Sequence, residues 1–305
     1  DAGVFVRTMA GIGAGRARLV EVPKDFWDHQ SLQSTWKRTK ETIGDCLKRL
    51  AEHGILSASI LPSTNSLIPL FVLHYNWSSR PDYVFGRALR WFLLANRDGR
   101  YSGSAVTTLN EDVRAIAEAP GFDDALAKLE KPLRVTEEIA PEDFLDRYDR
   151  AGNRFLRLMV YLLMFKAKAR DWVDGSIIGY DKSGSPVTTG YAPEWHHIFP
   201  RAVLRQANVS EDDRHALANI TVLNADTNRK ALGYKEPWRY IREFGIRADD
   251  LRAHGVPTEF PGCEASDERL REAWNVGRYD DFLTGRARVL SEQAAAFFAD
   301  LRTVA

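Results

Sequence analysis

The stretch Glu194-Trp195-His196-His197-Ile198-Phe199-Pro200 decides how this chain reads, together with Asn219 about twenty residues on and Asn228 nine residues later. Successive side chains on a strand point to opposite faces, so neighbouring histidines seldom share one ligand set. They can instead divide two tasks, one imidazole holding a cation and the other facing a water molecule. His197 is the candidate base, because an imidazole titrates near ~6.5 and its neutral form is available at neutral pH. His196 and Asn228 are candidate metal ligands. Asp226 is either a third donor, direct or through water, or the cap of a following helix. Asn219 carries a structural expectation: its amide both accepts and donates, so it can tie backbone across two strands and fix the loop that presents His197.

A base that activates water and a cation that holds the phosphate are what phosphodiester hydrolysis requires. Mg²⁺ is the first choice of ion, since it keeps several waters and needs few protein donors. An imidazole ligand tilts the set toward Mn²⁺, Ni²⁺ or Zn²⁺. Arg201, Arg229 and Lys230 surround this core in sequence and are candidate phosphate contacts. Arg147, Arg150, Arg154 and Arg157 recur at i, i+3, i+7 and i+10. On one long helix they would form a stripe for DNA backbone, or a salt-bridged face with Asp143, Asp146 and Asp149. His215, inside Glu211-Asp212-Asp213-Arg214, reads as solvated surface. Gly11-Ile12-Gly13-Ala14-Gly15 lacks the ending of a phosphate-binding loop and reads as a flexible loop.

The 305 residues suffice for two or three compact units, and 44% hydrophobic with 28% charged residues is ordinary for a globular chain. No apolar run reaches the length of a membrane span; the best, Phe155 to Phe165, is short and contains Arg157. Cys46 and Cys263 stand far apart, which fits a reduced cytoplasm and excludes a four-cysteine zinc clamp. The 42 basic residues balance the 42 acidic ones, so a grip on nucleic acid requires cations segregated to one face.

Hydrophobic periodicity predicts helices over Ser34–His53, ended by Gly54, and over Tyr83–Asn96, Asn110–Ala119 and Phe122–Leu129. The longest continuous helical pattern runs Pro141–Ala169. After Trp172 short strand-like pieces appear, Ser176–Tyr180 and Pro186–Thr189 around an Asp181-Lys182-Ser183-Gly184 turn. Arg201–Ala207 reads as a helix, Asn219–Leu223 as a strand, Asn224–Leu232 as a helix and Asp267–Thr303 as a helical tail. The expected fold is mainly α: a helical domain over 1–170, a small ββα-metal core over 171–245 and a helical extension over 246–305.

The doublet segment, with Leu217-Ala218-Asn219-Ile220-Thr221-Val222-Leu223 and Thr227-Asn228-Arg229-Lys230, resembles the HNH, or His-Me finger, nuclease part of GmrSD-type restriction endonucleases. That family includes SspE-like phosphorothioate-sensing phage-defence nucleases. The match covers roughly a third of the chain, and Tyr101-Ser102 through Asp112 resembles the helical region before the nuclease. The resemblance implies His197 as base, His196 and Asn228 as ligands, Asn219 as the loop-fixing asparagine, and a cytoplasmic enzyme cutting or nicking phage or modified DNA. The family's N-terminal Asp-Gly-Gln-Gln-Arg signature is absent, so the chain reads as the C-terminal part of a longer protein whose nucleotide-hydrolysing domain lies outside it. The alternative expectation is a non-catalytic helical DNA-sensing or partner-docking module with a degenerate ββα unit.

Overall fold

Gly11 and Gly13, expected in a flexible loop, lie inside a helix, α1 (Ala2–Ala14). Glycine within a helix costs about 1 kcal/mol relative to alanine, and close packing is what it permits here. A Cβ on Gly11 would stand 2.6 Å from Val72 Cγ2, and one on Gly13 would strike the Phe26 ring. Gly15 then takes a left-handed φ of 64° just past the helix end. The computed structural model describes residues 2–103, 105–187, 191–224, 227, 232 and 234–303.

The chain divides into two compact units, one of residues 1–52, 61–137 and 298–305, the other of 53–60 and 138–297. Among its described residues the first unit has helices and no strand. Besides α1 it holds α2 (His29–Glu52), α3 (Leu67–Trp77), α4 (Phe85–Arg97), α5 (Val106–Ala117) and α6 (Phe122–Glu130). The apolar α3 is its axis, buried along most of its length and packed against α1, α2, α4 and α5. Buried His74 on α3 bonds the Asp45 carboxylate through Nε2 at 2.7 Å and the Tyr83 hydroxyl through Nδ1 at 2.9 Å.

The second unit carries the histidine doublet. The helix expected over Pro141–Ala169 is interrupted. A 3₁₀ turn, Pro141–Leu145, is followed by extended backbone at Asp146 and Arg150, a second turn at Ala151–Asn153, and only then α7 (Arg154–Lys166). The Asp146 carboxylate accepts from the Arg147 amide and from Asn153 Nδ2, offering the chain a local alternative to helix. The freed backbone bonds elsewhere: Tyr148 N donates to His215 O at 2.8 Å, and Leu217 N donates to Asp146 O at 2.9 Å. The four arginines therefore do not share one helical face; only Arg154 and Arg157 lie on α7.

The hairpin expected around 181–184 narrows to a single bridge, Tyr180 with Pro186, while a second bridge joins Arg170 to Ile177. β1 (Glu194–His197) pairs antiparallel with β2 (Ile220–Leu223). Between them lie α8 (Arg201–Gln206) and α9 (Glu211–Arg214). The helix expected over Asn224–Leu232 falls mostly outside the described residues. The expected tail helix is divided into α12 (Asp267–Ala273), a turn capped by the Asn275 side chain, and α13 (Tyr279–Leu301), with α10 (Pro237–Glu243) and α11 (Ala248–Ala253) before them. The protein is thus mainly helical, with a small two-stranded sheet. Among the described residues no helix is long and apolar enough to cross a membrane.

His254, after α11, is wholly buried, with Nδ1 2.6 Å from Thr221 Oγ1 and Nε2 2.8 Å from Arg170 O. Both bonds are met by the neutral ring, Nε2–H donating to the carbonyl and Nδ1 accepting the hydroxyl. Burial, opposed by the Arg170 carbonyl, pushes its pKa down to about 3. The unfolded chain protonates this imidazole below ~6.5 while the folded chain does not, so acid favours unfolding. The contribution is complete above pH 6.5 and falls by at most about 1.4 kcal/mol per pH unit toward pH 3. Urea unfolding of the parent and of His254→Gln across this window checks it: the variant loses stability less steeply with acid.

Candidate functional site

Register places His196 opposite Thr221 and His197 opposite Ile220. Alternation along β1 then sends the two imidazoles to opposite faces. His196 is buried, 3% exposed, with Trp172 edge-on at 5.9 Å and Tyr240 at 6.3 Å between ring centroids. His197 meets Tyr148 at 5.4 Å and His215 at 5.2 Å, both edge-on.

The turn that follows the doublet is held by Asn219, itself fully buried. Its Oδ1 accepts from Phe199 N at 2.9 Å, while its Nδ2 donates to Phe199 O at 3.0 Å and to Arg214 O at 3.1 Å. Its backbone carbonyl accepts from Ile198 N at 2.9 Å, and the Tyr240 hydroxyl donates to Ile198 O at 2.7 Å. Every backbone polar group of Ile198 and Phe199 is thereby bonded, which leaves β1 little freedom to shift.

Behind Asn219 lies Arg286 of α13, fully buried. Nη1 donates to Ala218 O at 2.7 Å and Ile220 O at 2.8 Å, while Nε and Nη2 donate to His254 O at 3.2 and 2.9 Å. Burial pushes its pKa down to about 9, with Tyr279 and Tyr240 acting in the opposite sense. The guanidinium is satisfied by carbonyl dipoles, and in return it fixes the backbone on both sides of Asn219. Nothing in the local sequence marks it, since its partners are distant along the chain.

Burial also pushes the His197 pKa down to about 3, reinforced by Arg201, His215 and His196 and opposed by Asp149. Its Nε2 is buried and has no hydrogen-bond partner among the described residues. The ring is therefore neutral across the physiological range. His215 corrects the expectation of solvated surface: it is 9% exposed and stacks on Tyr148 at 5.8 Å and 11°. Ser210 caps α9, so Glu211, Asp212 and Asp213 face solvent and the C-terminal His215 turns inward. Its sequence signal was its place directly before the apolar Ala216-Leu217-Ala218.

Arg201, Arg205 and Arg214 join His215 and the exposed Tyr234 around a cavity of about 310 Å³, which Glu211 also lines. Among the described residues no ion pair engages those three arginines. Arg150 differs, because Asp146 and Asp212 both hold it, and Arg147 bonds Asp149 and lies beside Glu211 and Asp212. Arg154 opens α7 and is exposed. The structure thus brings His196, His197, Asn219 and Arg201 together, and it ties Arg150 into an acidic network.

Asp226, Asn228, Arg229 and Lys230 lie outside the described residues, and among the described ones no three His, Cys, Asp or Glu side chains converge as a metal site. The described donor set for an ion is the single His196 imidazole. Asp171, which sequence reading missed, anchors Asn224 and Thr227. Its buried carboxylate accepts from Val173 N, Asp174 N, Thr227 Oγ1 and Asn224 N at 2.6 to 3.1 Å.

No protein-family model and no solved structure matches the chain. An uncharacterized protein of Methanocaldococcus jannaschii is 19% identical, over 95% of this chain and 51% of its own length. The chain therefore spans about half the length of that relative.

Two substitutions test the support of the site. Asn219→Ala orphans the Phe199 amide and two carbonyls, and Arg286→Leu orphans three carbonyls. Each unsatisfied buried group costs about 1–3 kcal/mol. Both variants are expected to lose about 3 kcal/mol or more in urea unfolding, against a loss within about 0.5 kcal/mol for the exposed control Arg205→Ala.

Proposed function

We propose that this chain is a metal-dependent DNA endonuclease of the His-Me finger kind, with His197 as general base. The observation that carries the reading is the neutral His197, whose unbonded Nε2 is held beside Arg201 by the Asn219 lock. In the proposed reaction Nε2 takes a proton from water as its oxygen bonds to phosphorus. The ester P–O bond breaks, and the leaving oxygen departs with the electron pair. Arg201, Arg205 and Arg214 hold flanking phosphates, which meets the need for a local patch on a chain of zero formal charge. Arg229 and Lys230 extend that patch on the basis of sequence.

His196, Asn228 and Asp226 are the residues assigned to a divalent ion, with Mg²⁺ first and Mn²⁺, Ni²⁺ or Zn²⁺ as alternatives. Such an ion, when bound, polarises the phosphate and stabilises the leaving oxygen. The context of a phage-defence or restriction system acting on modified DNA in the cytoplasm, with a nucleotide-hydrolysing domain elsewhere in a longer protein, rests on the resemblance of the doublet segment.

Nicking of supercoiled plasmid, titrated with Mg²⁺, Mn²⁺, Ni²⁺ and Zn²⁺, tests the proposal. General base catalysis contributes about 10²–10⁴-fold, so His197→Ala should lose about that factor while still binding DNA. Cleavage by His197→Ala at the parent's rate would remove the base. If the parent binds DNA and cuts with none of the four ions, the docking-module alternative takes its place.

A further inference from the structure

His215 is 9% exposed, and its ring lines the cavity of about 310 Å³ beside α8 and α9. Tyr148 stacks on the ring and His197 meets it edge-on. Nδ1 is buried and lies 3.9 Å from Asp149 Oδ2, within ion-pair range but beyond a hydrogen bond. Nε2 bonds no group among the described residues. The Asp149 carboxylate stays ionised, because Arg147 bonds both of its oxygens and holds its pKa down to about 2. A carboxylate on that side favours the neutral tautomer with its hydrogen on Nδ1, and Nε2 then presents a lone pair.

The cavity beside that ring is cationic. Arg201 and Arg205 stand four residues apart on α8, Arg214 ends α9, and all three line the same wall as His215. Like charges at this helical spacing repel. Glu211 is the one carboxylate on the wall among the described residues, and Arg147 already lies 3.5 Å from it. An anion here would meet three guanidiniums but, at Nε2, a lone pair. Only a second proton turns that nitrogen into a donor. Burial holds the His215 pKa below its ordinary value; Asp149 and Glu211 oppose the shift, and Arg147 and Arg201 reinforce it. The charge of a phosphate acts in the opposite direction and favours the imidazolium.

We propose that this cavity is a proton-coupled phosphate site, in which Arg201, Arg205 and Arg214 hold a phosphate of a DNA strand and His215 takes up a proton at Nε2 to become its fourth donor. Asp149 is the positioning residue that makes the second proton necessary. The proton comes from solvent and stays on the ring while the phosphate is bound; no other bond forms or breaks. The inference deepens the nuclease reading, on which it rests for the ligand being DNA. Tyr234, 82% exposed on the same wall, offers a ring on which a neighbouring base can stack, and this favours a strand over a free phosphate. A free phosphate or a mononucleotide presents the same oxyanion, so the test separates these sources.

The experiment measures affinity of the full chain for a labelled oligodeoxynucleotide, without divalent metal, from about pH 5 to about pH 8 at fixed ionic strength. Between the pKa of the free ring and the higher pKa of the bound ring, binding takes up one proton. Affinity therefore falls by up to about tenfold per pH unit as pH rises through that window. His215→Gln, an uncharged donor, should remove this component. Asp149→Asn should remove it as well, because the neutral ring can then carry its hydrogen on Nε2. Arg205→Gln with Arg214→Gln should lower the salt slope of binding by about 1–2. On the parent, NMR of the imidazole nitrogens should place the hydrogen of the free ring on Nδ1. The oligonucleotide should raise the His215 midpoint by about one pH unit or more, at concentrations where dAMP and inorganic phosphate have no effect. A midpoint that the oligonucleotide leaves in place overturns the proposal, as does the parent's pH dependence persisting in His215→Gln. An unchanged salt slope in the double arginine variant overturns it too, as does a midpoint moved by phosphate or dAMP and not by the oligonucleotide. Failure of the nuclease reading is a separate result, seen as absence of plasmid cutting whatever the binding data show.

Discussion

The site depends on a buried cation. Arg286 reaches from α13 to the carbonyls of Ala218, Ile220 and His254, and so joins the start of β2 to the end of α11. A guanidinium is the side chain suited to this, because five donors in a rigid fork can serve several acceptors at once. Its burial is costly, and bonds to charged donors, each worth about 1.5–3 kcal/mol, offset that cost. The return is positional. With the backbone of 217–220 fixed, the Asn219 amide reaches Phe199, and the doublet on β1 acquires a defined register.

From that register the opposite orientation of the two histidines follows. Side chains alternate along a strand, so His196 and His197 face opposite ways. His196 enters an aromatic enclosure of Trp172 and Tyr240. His197 enters a more polar space with Tyr148, His215 and Arg201. The low pKa of His197 comes first from burial, and the nearby cations reinforce it. The same cations suit a phosphate, whose arrival would raise that pKa and so strengthen the ring as a proton acceptor.

Much of the site was legible in the sequence because it is local. The doublet, its strand and the asparagine that braces it follow from alternation, turn residues and the bonding capacity of an amide. The mainly helical fold with a small sheet was also legible from periodicity. What escaped depends on contacts between distant segments. Asp146 interrupts a helical pattern that looks continuous from Pro141, because its carboxylate and the backbone of 215–217 together offer a better set of bonds than the helix does. Gly11 and Gly13 look like a loop until Val72 and Phe26 supply the reason for missing side chains. His215 sits in an acidic run whose capped turn sends the carboxylates outward and the imidazole inward. Arg286 and Asp171 bond backbone far along the chain, and composition gives no hint of either.

The most direct measurement is the crystal structure of His197→Ala bound to duplex DNA in Mn²⁺, with the ion located by its anomalous scattering. The account predicts Mn²⁺ bonded to the His196 imidazole and a DNA phosphate near position 197. Mn²⁺ bound away from β1, or DNA lying on another face with no phosphate near position 197, would contradict it.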